Sequence, residues 1–161
     1  MTIGQALERL QMQCSRSEYC TGQIRRKLHL WDIRERKCGR EGFLQHQMDE
    51  VVDSLVADKY VDDARFAGAY VRDKARFAKW GPAKIAYNLK MIGVDEGTIG
   101  VALDENGELF MQDTLRELAA KKWKSMKGET DIQIKRAKLV RFLVGRGFSY
   151  SQIIELKKDL G

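Results

Sequence analysis

One step recurs three times along the chain: an apolar residue, a second four residues later, then a helix-stop position followed at once by another apolar residue. The copies are Ile24-Leu28-Asp32-Ile33, Ile85-Leu89-Gly93-Val94 and Leu139-Leu143-Gly147-Phe148. An i, i+4 apolar pair marks the buried face of a helix. A glycine four residues further on fits the left-handed site past a helix C-terminus, from which the next residue packs back on the last turn. Asp tolerates that backbone better than most side chains, so the stop is expected in all three copies, with Asp32 the weakest. The match continues past the stop, because Ile99 follows Gly93, and Ile153 follows Gly147, at the same interval. Copies spaced roughly 55 to 60 residues apart predict tandem helical repeats. Such repeats offer an extended surface to a long partner rather than a closed pocket to a small one.

Composition agrees with helices. A single proline, Pro82, and 32% charged residues suit a mostly helical chain, and an apolar fraction of 43% is enough for a core. No apolar run reaches the length of a membrane span, and the segment Met1-Thr2-Ile3-Gly4-Gln5-Ala6 lacks the features of a signal peptide. A cytoplasmic protein with no membrane association is therefore expected. Cys14, Cys20 and Cys38 contain no C-x-x-C pair, and an odd number argues against a disulfide framework. Cys38 with His29 and His46 fits no zinc spacing, so neither a metal nor a cofactor is expected.

The fold class expected is all-α, with three tandem three-helix repeats at 1–61, 62–106 and 107–161. In the first, Ile3, Ala6, Leu7 and Leu10 share one face, and Ser15-x-x-Glu18 is a candidate capping box for the helix through Ile24 and Leu28. The polar stretch 34–42 reads as an inserted loop, before a helix with Leu44, Met48, Val51, Val52, Leu55 and Val56 inward. The second repeat opens on Asp62 or Asp63 as N-cap, with Phe66, Ala69, Tyr70 and Phe77 on its inner face. Trp80-Gly81-Pro82 breaks that helix and starts the next, Pro82 taking the favourable first position; Asp95 caps the third, which carries Ile99 and Leu103. In the last repeat a helix from about 108 to 126 carries Phe110, Leu115, Leu118, Ala119 and Trp123. Thr130-x-x-Gln133 and Ser149-x-x-Gln152 cap the two that follow, the last with Ile153, Ile154 and Leu156 inward.

The net charge of +6 is unevenly placed. Between Arg65 and Lys90 stand seven bases and one acid, Asp73; between Arg116 and Arg146 stand ten bases and three acids; Asp49 to Asp63 holds six acids and one Lys. Alternating blocks of this kind predict basic and acidic faces, the basic one suited to a polyanion. Arg72, Lys74, Arg76 and Lys79 lie outside the apolar stripe and are candidate contacts, with Lys84 and Lys90 on the following helix. Arg65, near Asp62, serves equally as a brace for the helix start. Lys135, Arg136, Lys138 and Arg141 flank Leu139 and Phe142 on a basic helix that Arg146 closes, and a solvated face explains them as well as a binding one. Trp80 either pins the corner between two helices or stacks on a base or partner side chain. Gly81, Gly93 and Gly147 read as structural. Neither histidine sits in a nucleophile or metal motif and no phosphate-binding glycine loop is present, so no catalytic residue is expected.

Three segments carry a family resemblance: Tyr60-Val-Asp-Asp-Ala-Arg-Phe-Ala-Gly-Ala-Tyr-Val-Arg-Asp-Lys74, Trp80-Gly-Pro-Ala-Lys-Ile-Ala-Tyr-Asn-Leu-Lys-Met-Ile-Gly-Val94 and Lys138-Leu-Val-Arg-Phe-Leu-Val-Gly-Arg-Gly-Phe-Ser149. Together they resemble the bacterial RecX regulators of the RecA recombinase, over a span from about Ala6 to Leu156. The departures are Asp32 for the usual glycine and the 34–42 insertion. The resemblance implies three three-helix repeats in an elongated, curved molecule that binds the RecA–DNA filament along its groove. It further implies inhibition of ATP hydrolysis, strand exchange and coprotease activity, hence a role in homologous recombination, DNA repair and the SOS response. Some members also bind DNA directly, and a sequence-nonspecific DNA-binding protein acting without RecA is the competing expectation. A monomer is the simplest expectation for its oligomeric state.

Overall fold

The computed structural model describes residues 1–159, apart from the side chains of 108–110 and 157–159. Nine α-helices run through the described residues: α1 (Ile3–Cys14), α2 (Thr21–Lys37), α3 (Gln45–Ala57), α4 (Asp63–Arg76), α5 (Pro82–Ile92), α6 (Glu96–Asn106), α7 (Glu108–Ser125), α8 (Ile132–Gly145) and α9 (Tyr150–Asp159). They form consecutive triplets. α1 and α2 both pack on α3, α4 packs on α5 and α6, and α8 packs on α7 and α9.

The core, however, divides in two. Ala6 and Leu10 of α1, Ile24 and Leu28 of α2 and Met48, Val51, Val52 and Leu55 of α3 close the first one with Phe43 and Val61. The second runs without interruption through the next two triplets, joining Val71, Ile85, Leu89 and Ile99 to Leu115, Leu139, Leu143, Phe148 and Ile153. Contacts of both α4 and α6 with α7 make that continuity. Cys20, at the head of α2, belongs to the second core, so the first triplet is anchored by the start of its middle helix. Each fully buried Leu or Ile contributes about 2 kcal/mol relative to exposure.

Two of the three expected stops form. Gly93 (φ 114°) and Gly147 (φ 97°) are left-handed, and the following N–H groups donate back across the turn, Val94 to the Leu89 carbonyl at 3.0 Å and Phe148 to that of Leu143 at 3.2 Å. Val94 and Phe148 are buried. The first copy is different. Asp32 lies inside α2, the helix continues to Lys37, and the left-handed residue is Gly39 (φ 72°), with Arg40 N–H donating to the Glu35 carbonyl at 3.1 Å. Residues 34–37, expected in a loop, are therefore helical.

Side-chain hydrogen bonding explains the extension. The Asp32 carboxylate accepts from Arg36 Nε one turn on, at 2.9 Å, and from Phe43 N–H at 2.7 Å, which draws the returning chain across the helix. Ile33, expected to fold back on Leu28, is 48% exposed. Glu35 is 4% exposed and meets Arg40 Nε at 2.6 Å and the Met1 α-amino group at 2.7 Å. Hydrogen bonds from Arg40 and then from that ammonium hold its carboxyl down to about 2.

Caps follow the sequence in most places and depart from it in two. Asp62 accepts from Arg65 N–H, Asp95 from Thr98 N–H, and Ser149 and Gln152 each accept from the other's backbone. Ser15 does not open α2; it closes α1, its hydroxyl donating to the Met12 carbonyl. α2 instead starts from Cys20, whose N–H donates to Gln23 Oε1 at 3.0 Å. α8 is capped by Asp131 rather than Thr130, its carboxylate accepting from Gln133 N–H at 2.9 Å.

Some expected inward residues face solvent: Leu44, Val56, Phe77 and Ile154 are exposed, and Phe110 lies outside the described side chains. On α4 the buried line is Ala67, Gly68, Val71 and Ala75. Those small residues let α6 approach closely, a Cβ on Gly68 standing 3.3 Å from Asn106 Nδ2. The Phe66 and Tyr70 rings stack beside that line, half-buried, with centroids 6.1 Å apart.

Candidate interaction surface

The helices that carry the repeated motif meet end to end. At the joint between α8 and α5, Gly81 N–H donates to the Arg146 carbonyl at 2.7 Å and Ala83 N–H to the Gly147 carbonyl at 3.0 Å. The first amides of one helix thus satisfy the last carbonyls of another, opposite ends of two helix dipoles in contact. No side chain fits between them: a Cβ on Gly81 would stand 2.5 Å from the Gly147 carbonyl carbon. The joint between α5 and α2 is as close. A Cβ on Gly22 would stand 2.6 Å from Gly93 Cα, and Arg26 Nη2 donates to the Met91 carbonyl at 3.2 Å; beside the joint, Asp63 at the start of α4 accepts from both the N–H and the hydroxyl of Thr21 at 2.7 Å. Gly93 and Gly147 are thus also docking points for the start of the preceding triplet's middle helix. Sequence reasoning did not single out Gly22; its signal is a glycine in the first turn of an otherwise uninterrupted helix.

Around the α8–α5 joint, cations lie over half-buried aromatic rings. Lys74 Nζ is 4.9 Å and Lys84 Nζ 4.6 Å from the Trp80 ring, and Lys74 is also 5.4 Å from that of Tyr70. Lys122 Nζ (5.1 Å) and the Arg146 guanidinium (5.5 Å) sit over Phe142, and Lys135 Nζ over Trp123 at 4.1 Å. Such contacts hold a cation by about 0.5–1 kcal/mol at exposed sites without neutralising it. They fix where positive charge stands and leave it available to an anion. Trp80 itself packs on the second core and already carries two ammonium groups, which fits a corner pin better than a platform for a base.

The remaining candidates separate by what they touch. Arg72 donates to Asn106 Oδ1 at 2.7 Å, and Lys79, Lys90 and Lys138 pair with Glu117, Glu96 and Glu129. Arg146 reaches the Ala78 carbonyl, joining the second and third triplets. Arg65 is a brace, paired with Glu18 at 2.9 Å and donating to the Lys59 carbonyl. Arg76 lies over the exposed Phe77 ring, and Arg136 and Arg141 are exposed with no ion pair among the described residues. Among the described residues no group of three or more His, Cys, Asp and Glu is placed to hold a metal ion, and no helix is long and apolar enough to cross a membrane.

Comparison with known proteins places this architecture. Residues 62–103 match the second three-helix domain of RecX and residues 111–156 its third. The chain is 35% identical over 129 residues to the regulatory protein RecX of Clostridium acetobutylicum, covering 77% of this chain and 58% of that protein. It is 32% identical over 114 residues to that of Clostridium tetani, covering 70% and 52%. The chain thus spans about half the length of the curated relatives it matches. The crystal structure of RecX from Lactobacillus salivarius superposes with a TM-score of 0.84 at 22% identity, covering 98% of this chain and 96% of that one. Another RecX crystal structure superposes at 0.81, with 21% identity, over 97% and 71%. With two domain matches in the family's own order and a common fold extending over the first triplet, the chain belongs to the RecX family.

Proposed function

We propose that the chain is a non-enzymatic regulator that binds along the RecA–DNA filament and inhibits the recombinase. The observation that carries the reading is family membership, since the relatives are named regulatory proteins. The architecture supports it: triplets at 1–61, 62–106 and 107–161, stacked through their middle helices, present several surfaces in a row to a partner that itself repeats. Weak contacts to successive protomers then sum through multivalency. Contact candidates are the ring-held Lys74, Lys84 and Lys135 with the unpaired Arg136 and Arg141, while Arg72, Lys79, Lys90, Lys138 and Arg146 serve first to hold the fold. Purified protein titrated into RecA on single-stranded DNA is expected to lower its ATPase at substoichiometric to near-equal ratios. No inhibition at any ratio rejects the reading.

A second reading, sequence-nonspecific DNA binding without RecA, is favoured by one observation: Lys74, Lys84, Lys122 and Lys135 are held by rings rather than by carboxylates. Such binding falls steeply with salt in proportion to the phosphates neutralised, and a mobility shift without RecA measures it.

A further inference from the structure

The row α8–α5–α2 carries a larger share of the positive charge than of the length. Six Lys and Arg lie on α2, two on α5 and four on α8, against two acids, Asp32 and Glu35, both on α2. Both acids are consumed inside the molecule, Asp32 by Arg36 and the Phe43 amide, Glu35 by Arg40 and the Met1 amino group. No acidic side chain on these helices is left to neutralise a partner-facing base, and the acids of neighbouring elements take up only Arg25, Lys90 and Lys138 of the row.

The same row has an apolar stripe in solvent. Tyr87 and Met91, one turn apart on α5, are 65% and 60% exposed, and Leu30 on α2 is 60% exposed. Arg26, one turn before Leu30, donates to the Met91 carbonyl, so it bridges the α5–α2 joint between the exposed pair Tyr87 and Met91 and the exposed Leu30, with Ile33 one turn on. The register is that of the repeat. Arg26, Tyr87 and Arg141 each stand two residues after the first apolar residue of their copy, and Leu30 and Met91 stand six after it.

We propose that this stripe is a docking surface for an acidic amphipathic segment of a protein partner. Resting on the reading of the chain as a regulator of a protein filament, the proposal names the face used and the chemistry it recognises. Apolar anchors at helical spacing, flanked by Arg, match an amphipathic helix laid along the row with its own acids outward toward Arg26 and Arg141. Charge complementarity selects the partner's sign. A phosphodiester backbone satisfies the arginines but leaves Tyr87, Met91 and Leu30 in water, so an exposed apolar stripe favours protein over nucleic acid.

The test uses the full chain with two independent variants, Leu30→Ser/Tyr87→Ser/Met91→Ser and Arg26→Glu/Arg141→Glu, beside Val101→Ser, an exposed apolar residue on α6, as control. Two quantities are read: the concentration that half-inhibits the DNA-dependent ATPase of RecA, and affinity for a labelled single-stranded oligonucleotide without RecA. Each variant that melts as a folded protein is expected to raise the half-inhibitory concentration about tenfold. Val101→Ser is expected to change nothing, and the serine variant to keep its oligonucleotide affinity within about twofold. Inhibition unchanged in the folded variants overturns the proposal, and so does a parallel loss of oligonucleotide binding in the serine variant, which reassigns the stripe to nucleic acid. An unsubstituted chain that fails to inhibit rejects the regulatory reading itself, whereas an inhibitory chain with equally inhibitory variants rejects the docking surface alone.

Discussion

Asp32 occupies the position of a helix-stop glycine and does something else with it. In the left-handed site an aspartate costs about 1–2 kcal/mol relative to glycine, a cost the chain avoids by keeping Asp32 helical and moving the turn to Gly39. The carboxylate then accepts from Arg36 and from the N–H of the buried Phe43. The two roles differ in the sign of one substitution. Were Asp32 the stop, Asp32→Gly would stabilise the protein. In the helix observed it is expected to destabilise by about 1–3 kcal/mol, from the helix propensity of glycine and the stranded Phe43 amide. A rise in the thermal midpoint on that substitution would contradict the helix described. The sequence contained the relevant residues, Asp32, Arg36 and Gly39, but their connection runs through a chain reversal that local spacing does not reveal.

The middle helices show how an element acquires a constraint from beyond itself. Read alone, Gly22 in the first turn of α2 and Gly100 within α6 are two weak helix residues, and alanine at either is expected to gain up to about 1 kcal/mol. The stacked joints separate them. At Gly100 nothing stands within 4 Å of an added Cβ, while at Gly22 that atom falls on the backbone of Gly93. Gly100→Ala is therefore expected to raise the thermal midpoint. Gly22→Ala is expected to lower it, by about 1–3 kcal/mol of overpacking, because rigid backbone rather than a flexible side chain stands in the way. Denaturant melts of the pair decide the matter by sign, and two stabilising substitutions would mean the α5–α2 joint is looser than described. The stop glycines themselves were legible because left-handed geometry has a strong local signature. Their second function, as landing sites for another helix, has none.

Across the whole molecule, charge and core are organised differently from the sequence blocks. The acids and bases of the linear pattern interleave in space, so that Lys79, Lys90 and Lys138 spend their charge on neighbouring glutamates, whereas Lys74, Lys84 and Lys135 keep theirs over aromatic rings. Replacing Lys74 and Lys84 together with glutamine is expected to reduce the salt dependence of any DNA binding by about two counterions. The same replacement at Lys90 and Lys138 is expected to leave that slope nearly unchanged. Equal slopes in the two double variants would remove the distinction between ring-held and carboxylate-paired lysines. By itself the sequence determined the all-helical class, the triplet period, most caps and the two glycine stops, since these depend on periodicities of 3.6 residues and on the local chemistry of helix ends. The tertiary structure alone decided that the second and third triplets share one core, that the middle helices abut through glycine pairs, and which cations stay free. Those outcomes rest on contacts between residues far apart in the chain, and a period says that such faces exist without saying which of them meet.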